Sequence, residues 1–150
     1  LAIFTVDKFG RRPLMIIGAL IMAVSMIILG TTFYTHSVGI GSLVCMLVYT
    51  AGFAMSWGPV CWVLLAEIFP NSIRSTVMSI AVAGQWIANF LVSWTFPMLD
   101  KNQYLTETFN HGMAYWIYGL MGILAAAFIW KFVPETKGKT LEQMEQYWKR

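Results

Sequence analysis

The sequence predicts an all-α membrane protein, and three observations carry that prediction. Hydrophobic residues make up 58% of the 150 residues and charged residues only 11%, whereas a soluble domain carries roughly 25% charged residues. The apolar residues form four long runs, each at least as long as the roughly 20 residues that a membrane-spanning helix needs. The basic residues are confined to short clusters between these runs, so the net charge of +3 is not the pattern of a nucleic-acid binder. A soluble enzyme and a disordered tail are disfavoured by the same composition.

The four apolar runs are predicted to be transmembrane helices at 13–33, 41–66, 75–98 and 112–133. They are apolar on all sides, which is typical of helices in lipid rather than of amphipathic helices on a soluble core. Residues 1–6 are also apolar, and we interpret them as the end of a further helix. Because the chain begins with Leu rather than Met, we expect it to be a fragment of a longer protein.

The distribution of basic residues predicts the orientation. With helices that alternate in direction, every basic residue except Lys101 falls on one side of the membrane. Basic residues are retained on the cytoplasmic side. We therefore expect a multi-pass protein of the cell inner (plasma) membrane, in which both ends of this chain are cytoplasmic and residues 140–150 form a charged cytoplasmic tail.

The sequence contains no pattern that indicates catalysis or metal binding. His36 and His111 lie in or near the outer loops and have no metal-ligand partner at a recognisable spacing. Cys45 and Cys61 lie inside apolar runs, so we interpret them as small buried hydrophobic residues rather than a disulfide. A charged residue at the centre of a span usually marks an ion path, and none of the four runs has one. The sequence predicts neither an enzyme nor a cofactor, and it assigns no proton relay within these residues.

The second run contains Gly58, Pro59 and Trp62. Pro59 removes a backbone donor and clashes with the preceding turn, so we expect the helix to kink or break there. A break at membrane depth is tolerated where the backbone lines a cavity, and interrupted helices mark binding sites in transporters. Trp62 follows Gly58 by four residues and would form a wall for a ligand. A simple proline kink with a packing tryptophan is the alternative.

The third run carries polar side chains on one helical face. Gln85 and Asn89 are four residues apart, and Ser93 follows one turn later. An amide at this depth needs a partner in a neighbouring helix or in a polar ligand. Amides supply both donors and acceptors, which suits a neutral polyol better than an ionic substrate. Hydrogen bonding between helices is the alternative interpretation.

Three short clusters on the predicted cytoplasmic side mix acidic and basic residues. They lie at 7–12, 67–74 and 135–137, at the ends of apolar runs. Such clusters are suited to an ion-pair network that biases a two-state equilibrium, although each exposed pair contributes only about 0–1 kcal/mol. Ordinary charges flanking the membrane are the alternative.

These motifs, in this order, resemble those of the sugar porter family of the major facilitator superfamily. Residues 7–12 are similar to its D-R-x-G-R-R signature, with Lys8 in place of the usual arginine. Residues 58–62 resemble G-P-x-x-W, residues 67–74 resemble E-x-F-P-x-x-x-R, and residues 134–138 are P-E-T-K-G. The resemblance covers essentially the whole chain.

The resemblance implies a fold and a site. The chain would form part of the C-terminal six-helix half of the major facilitator fold, with four transmembrane helices. The sugar would lie between that half and a missing N-terminal half, with Trp62 stacked on it, Gly58 allowing close backbone approach and Gln85 bonding to its hydroxyls. The implied substrate-binding residues are Trp62, Gln85, Gly58, Trp86, Asn89 and Phe53. The implied cytoplasmic ion-pair network consists of Asp7, Arg11, Arg12, Glu67, Arg74 and Glu135.

The resemblance also implies a function. We expect secondary active transport of a monosaccharide, D-xylose or a related pentose or hexose, by proton-coupled symport with alternating access. The partners would be the sugar, protons in the full-length parent, the lipid bilayer and the missing N-terminal half, with no nucleic acid. A facilitative uniporter, a non-transporting sugar receptor on the same scaffold and a purely structural membrane subunit are the alternatives.

Overall fold

The computed structural model describes residues 10–136, and these form six helices joined by short connections. Four stretches are long and apolar enough to cross a membrane, with the second and third helices forming one stretch together. The predicted membrane fold of four spanning helices is confirmed. The predictions for residues 1–6, for Asp7 and for the tail at 140–150 lie outside the described residues. The helices are α1 (Arg11–Tyr34), α2 (Ile40–Met55), α3 (Trp57–Ile68), α4 (Asn71–Asp100), α5 (Gln103–Phe109) and α6 (Gly112–Phe132).

The helix ends differ most from the apolar runs at α4. Helix α4 begins at Asn71 and ends at Asp100, so it extends beyond the run 75–98 at both ends. Polar residues at the ends of a spanning helix lie at the membrane surface, and hydropathy alone therefore underestimates its length. The connection after α4 contains the short helix α5, which Asn102 caps by accepting a hydrogen bond from the Leu105 amide at 3.2 Å.

The second span is interrupted at Ser56, three residues before the position that the sequence predicted. Ser56 has φ −123° and ψ −82°, outside the helical region, and separates α2 from α3. Pro59 is the third residue of α3, where an amide would have no helical partner, so proline is tolerated there. The Ser56 hydroxyl donates to the Gly52 carbonyl at 2.6 Å, and the Ser56 carbonyl accepts from the Val60 amide at 2.9 Å. The break is therefore an ordered turn.

Helix α1 packs closely against both α6 and the interruption. A Cβ added to Gly112 would lie 2.5 Å from the Gly30 carbonyl oxygen, and one added to Gly122 would lie 3.0 Å from the Ala23 Cβ. On another side of α1, Gly18 faces Ser56, which is only 1% exposed. Small residues at membrane helix interfaces let backbones approach, which increases van der Waals contact. Helix α1 is thus held by close backbone packing on two sides.

Helix α4 differs from the other spans because none of its 30 residues is buried. Apolar side chains of α1, α3 and α6, by contrast, form a core. Helix α4 contributes no residue to this core. The other described helices therefore do not cover the polar face of α4. The core residues are Leu14, Met15, Val60, Leu64, Ile68 and Ile129.

Candidate functional site

Three of the predicted substrate-binding residues flank the interruption between α2 and α3. Phe53 precedes Ser56, and a Cβ added to Gly58 would lie 3.4 Å from the Phe53 carbonyl oxygen. Trp62 lies one helical turn beyond Gly58 and is partly exposed. The irregular backbone and the Trp62 indole therefore lie on neighbouring turns, an arrangement suited to a ligand that needs an apolar wall and close backbone approach.

The other three predicted residues lie on α4. Gln85, Trp86 and Asn89 are all exposed, and the Trp86 residue is 68% exposed. Gln85 and Asn89 are four residues apart and share a face, so their amides are available to a partner outside the described helices. The structure thus places the six predicted residues in two groups, one at the α2–α3 interruption and one on α4.

Asn89 also lines a cavity between α1, α2, α4 and α6 with a volume of about 350 Å³. Three tyrosines and a phenylalanine line it as well, and sequence reasoning did not single out any of them. The Phe96 ring contacts the Tyr115 ring edge-on, with centroids 5.6 Å apart. These residues come from helices that are far apart in sequence, so only the packing of the helices identifies them as cavity-lining residues. The aromatic lining residues are Tyr49, Phe96, Tyr115 and Tyr118.

Several charged residues of the predicted network meet near the start of α1 and the end of α3. Arg11 Nη2 donates to Glu67 Oε1 at 2.9 Å, and the two side chains are 17% and 29% exposed. The Thr136 hydroxyl donates to the other Glu67 oxygen at 2.6 Å. Glu67 therefore links the start of α1, the end of α3 and the segment after α6. We call Arg11, Arg12, Glu67, Glu135 and Thr136 the charge cluster.

Glu135 caps the first turn of α1. Its Oε1 accepts from the Arg11 amide at 3.1 Å and its Oε2 from the Arg12 amide at 3.2 Å. A carboxylate at this position satisfies two amides that have no helical partner and interacts favourably with the helix dipole. Gly10 precedes the helix with φ 91°, and a Cβ there would lie 3.0 Å from Glu135 Oε2. Only glycine combines this backbone conformation with room for the carboxylate.

Two arginines of the predicted network make further hydrogen bonds to backbone carbonyl oxygens. Arg12 donates a side-chain hydrogen bond to the Trp130 carbonyl oxygen. Arg74 Nη2 donates to the Phe69 carbonyl oxygen at 3.4 Å, at the junction of α3 and α4, and not to a carboxylate of the charge cluster. Among residues 10–136, no group of three His, Cys, Asp or Glu side chains is placed to hold a metal ion.

Comparisons with known proteins agree with this architecture. The family described as "Sugar (and other) transporter" matches residues 1–148. The chain is 68% identical over 148 residues to the D-xylose-proton symporter of Escherichia coli (strain K12), which covers 99% of this chain and 30% of that protein. It is 49% identical over 144 residues to the glucose facilitated diffusion protein of Zymomonas mobilis, covering 96% of this chain and 30% of that protein.

Comparison with solved structures also finds a match to a sugar transporter. The E. coli proton:xylose symporter XylE, a major facilitator superfamily protein solved with bound 6-bromo-6-deoxy-D-glucose, matches with a TM-score of 0.88 at 68% identity. That match covers 99% of this chain and 31% of the solved chain. The chain therefore spans about 30% of the length of the relatives it matches.

Proposed function

Because the chain belongs to the sugar (and other) transporter family, we propose that it is part of a membrane protein that transports a monosaccharide by alternating access. The observation that carries the proposal is the 68% identity to a D-xylose-proton symporter over 148 residues. D-xylose is the proposed substrate, and protons are the proposed second partner. The similarity to a glucose facilitated diffusion protein favours uniport of a hexose as the second candidate.

We also propose where the transporter lies in the cell. Four apolar stretches support insertion in a membrane, and the basic residues on one side support an orientation with both ends of this chain in the cytoplasm. The inner (plasma) membrane is the proposed location. The remaining helices, including the N-terminal half, and the proton-coupling residue are proposed to lie in the part of the transporter that this chain does not span.

The proposed sugar site combines the two groups of candidate residues. Trp62 would stack on the sugar ring beside the interruption at Ser56, and Gln85 and Asn89 would exchange hydrogen bonds with sugar hydroxyls. Amides suit a neutral polyol because each carries donors and an acceptor. Gly58 would allow the sugar to approach the backbone, with Trp86 and Phe53 completing the wall.

The charge cluster is proposed to bias the transport cycle. Its contacts join the start of α1 to the end of α3 and to the segment after α6. A network of partly buried pairs at one end of the bundle stabilises whichever state keeps that end closed. The resemblance to the sugar porter family supports the outward-facing state.

Uptake of labelled D-xylose by the full-length transporter in membrane vesicles tests the proposed function. With an inward proton gradient we expect accumulation above the outside concentration, and an uncoupler should abolish the accumulation without abolishing equilibration. Equilibration that the gradient does not change would instead establish a uniporter. The absence of any xylose movement, with glucose moving in its place, would overturn the assignment of the substrate.

Two substitutions test the proposed site. Trp62→Ala is expected to weaken sugar binding about tenfold or more, because burial of an aromatic ring against a ligand contributes about 1.5–3 kcal/mol. Gln85→Ala is expected to weaken it about two- to tenfold through loss of a hydrogen bond. Both proteins should still insert in the membrane, and calorimetric titration of the purified transporter with D-xylose measures the affinity.

Matched controls exist in the same chain. Trp130 is 67% exposed on α6, and Gln103 is an exposed amide on α5. Trp130→Ala and Gln103→Ala should leave sugar affinity within about twofold of the unsubstituted value, since surface substitutions usually change free energies by less than 0.5 kcal/mol. Unchanged affinity in Trp62→Ala and Gln85→Ala would remove the site assignment.

A further inference from the structure

A chain of hydrogen bonds joins α4 to α6 beside the cavity. Tyr118 Oη lies 2.9 Å from Thr95 Oγ1, and Thr95 Oγ1 lies 2.7 Å from the Leu91 carbonyl oxygen. A carbonyl oxygen can only accept, so the single Thr95 proton is donated to Leu91. Tyr118 must therefore donate its own proton to Thr95. Consecutive bonds of this kind polarise and strengthen one another.

The same place on α4 is held by aromatic packing. The Phe96 ring lies 6.0 Å from the Tyr118 ring and 5.6 Å from the Tyr115 ring, measured between centroids. At the end of the helix, Asp100 Oδ1 lies 2.8 Å from His111 Nδ1. These side-chain contacts at 95–100 join α4 to α6 and to His111, the residue before it.

The contacts at Phe96 and the proposed sugar-binding amides lie on one face of α4. Positions 85, 89, 92 and 96 recur at steps of four, three and four residues, which is the spacing of a single helical face. Asn89, Val92 and Phe96 all line the cavity. Gln85 lies on the same face, about three helical turns, or about 15 Å, from the contacts that Thr95 and Phe96 make with α6.

We propose that Tyr118 is a positioning residue for the sugar site, because its hydroxyl holds α4 in the rotation that presents Gln85 to the sugar. The inference rests on the proposed function. Rotation of α4 by about 20° would displace a side chain about 5–6 Å from the helix axis by about 2 Å. That displacement moves an amide out of the roughly 2.7–3.2 Å range of a hydrogen bond.

Removal of the single hydroxyl tests the proposal in the full-length transporter. Tyr118→Phe is expected to weaken D-xylose binding about three- to tenfold, the equivalent of one hydrogen bond. Thr95→Val should have a similar effect, whereas Thr95→Ser keeps the hydroxyl and should restore the affinity. Tyr104→Phe is the matched control, because Tyr104 is 73% exposed on α5 and its substitution should leave affinity within about twofold.

A double-mutant cycle separates positioning from a general structural effect. In the Gln85→Ala background, Tyr118→Phe should cause a smaller loss of affinity than in the unsubstituted transporter, because one of the groups that it positions is absent. An equal loss in both backgrounds, or no loss in either, would overturn the positioning role while Gln85→Ala still weakened binding. If Gln85→Ala itself left binding unchanged, the sugar-site assignment would fail and the positioning role with it.

Discussion

Replacement of Gly18 by alanine is expected to destabilise the bundle and to do so through Ser56. A Cβ at position 18 would lie 1.8 Å from Ser56 Oγ and 2.4 Å from Ser56 Cβ. Rotation of the Ser56 hydroxyl relieves the first clash but not the second, because Cβ is fixed by the backbone. Ser56 is also 1% exposed and is bonded to Gly52. Overpacking of this kind costs about 1–3 kcal/mol or more, and we expect the free energy of unfolding to fall accordingly.

The interpretation is checked by a compensating substitution. Ser56→Gly removes both clashing atoms, after which the next neighbour of the new methyl group is the Gly52 carbonyl oxygen at 3.5 Å, an ordinary contact. Gly18→Ala/Ser56→Gly should therefore have a higher thermal midpoint in detergent than Gly18→Ala alone. A double variant no more stable than Gly18→Ala would show that the loss does not arise at the interruption.

Gly112→Ala is expected to have an effect at least as large, because its neighbour is backbone. The new Cβ would lie 2.5 Å from the Gly30 carbonyl oxygen, and no side-chain rotation can relieve that contact. Helices α1 and α6 would have to separate, which would also weaken the bond from Trp116 Nε1 to the Ile27 carbonyl, now 3.3 Å. We expect a loss of about 1–3 kcal/mol or more in the free energy of unfolding.

The control for Gly112→Ala is a glycine with open space around it. Gly41 lies in the first turn of α2, and no atom lies within 4 Å of the position that a Cβ would take. Gly41→Ala should leave the thermal midpoint unchanged or raise it slightly, since alanine has the higher helix propensity. Equal midpoints for Gly112→Ala and Gly41→Ala would contradict the close crossing of α1 and α6.

The sequence alone was sufficient to predict the four spans, because the length of an apolar run and the thickness of lipid are independent of tertiary contacts. It was insufficient for the interruption at Ser56. Proline favours a break upstream of itself, and its tolerance in the first turn of α3 depends on where that helix begins. Ser56 has no strong preference of its own, and its close contact with Gly18 is visible only in the folded chain.

The candidate site was likewise predicted only in part from the sequence. The mixed charges at three junctions predicted a network that includes Arg11, Glu67 and Glu135. Which groups pair with one another is known only from the distances in the structure. Arg11 pairs with Glu67, and Glu135 accepts hydrogen bonds from backbone amides. Arg74, predicted for the same network, donates to the Phe69 carbonyl oxygen. Thr136 and Tyr118 were not predicted because a hydroxyl carries no signal until its partner is known.

The cap on α1 has a consequence for biosynthesis. Glu135 follows Arg11 by 124 residues, so the ribosome makes the helix long before it makes the carboxylate that completes it. At about 5–20 residues per second, the delay is roughly 6–25 s. During that interval the Glu135 carboxylate is not present to accept from the Arg11 and Arg12 amides. Completion of the cap on α1 is therefore coupled to synthesis of the segment that follows α6, and a nascent chain truncated before position 135 lacks the carboxylate of that cap.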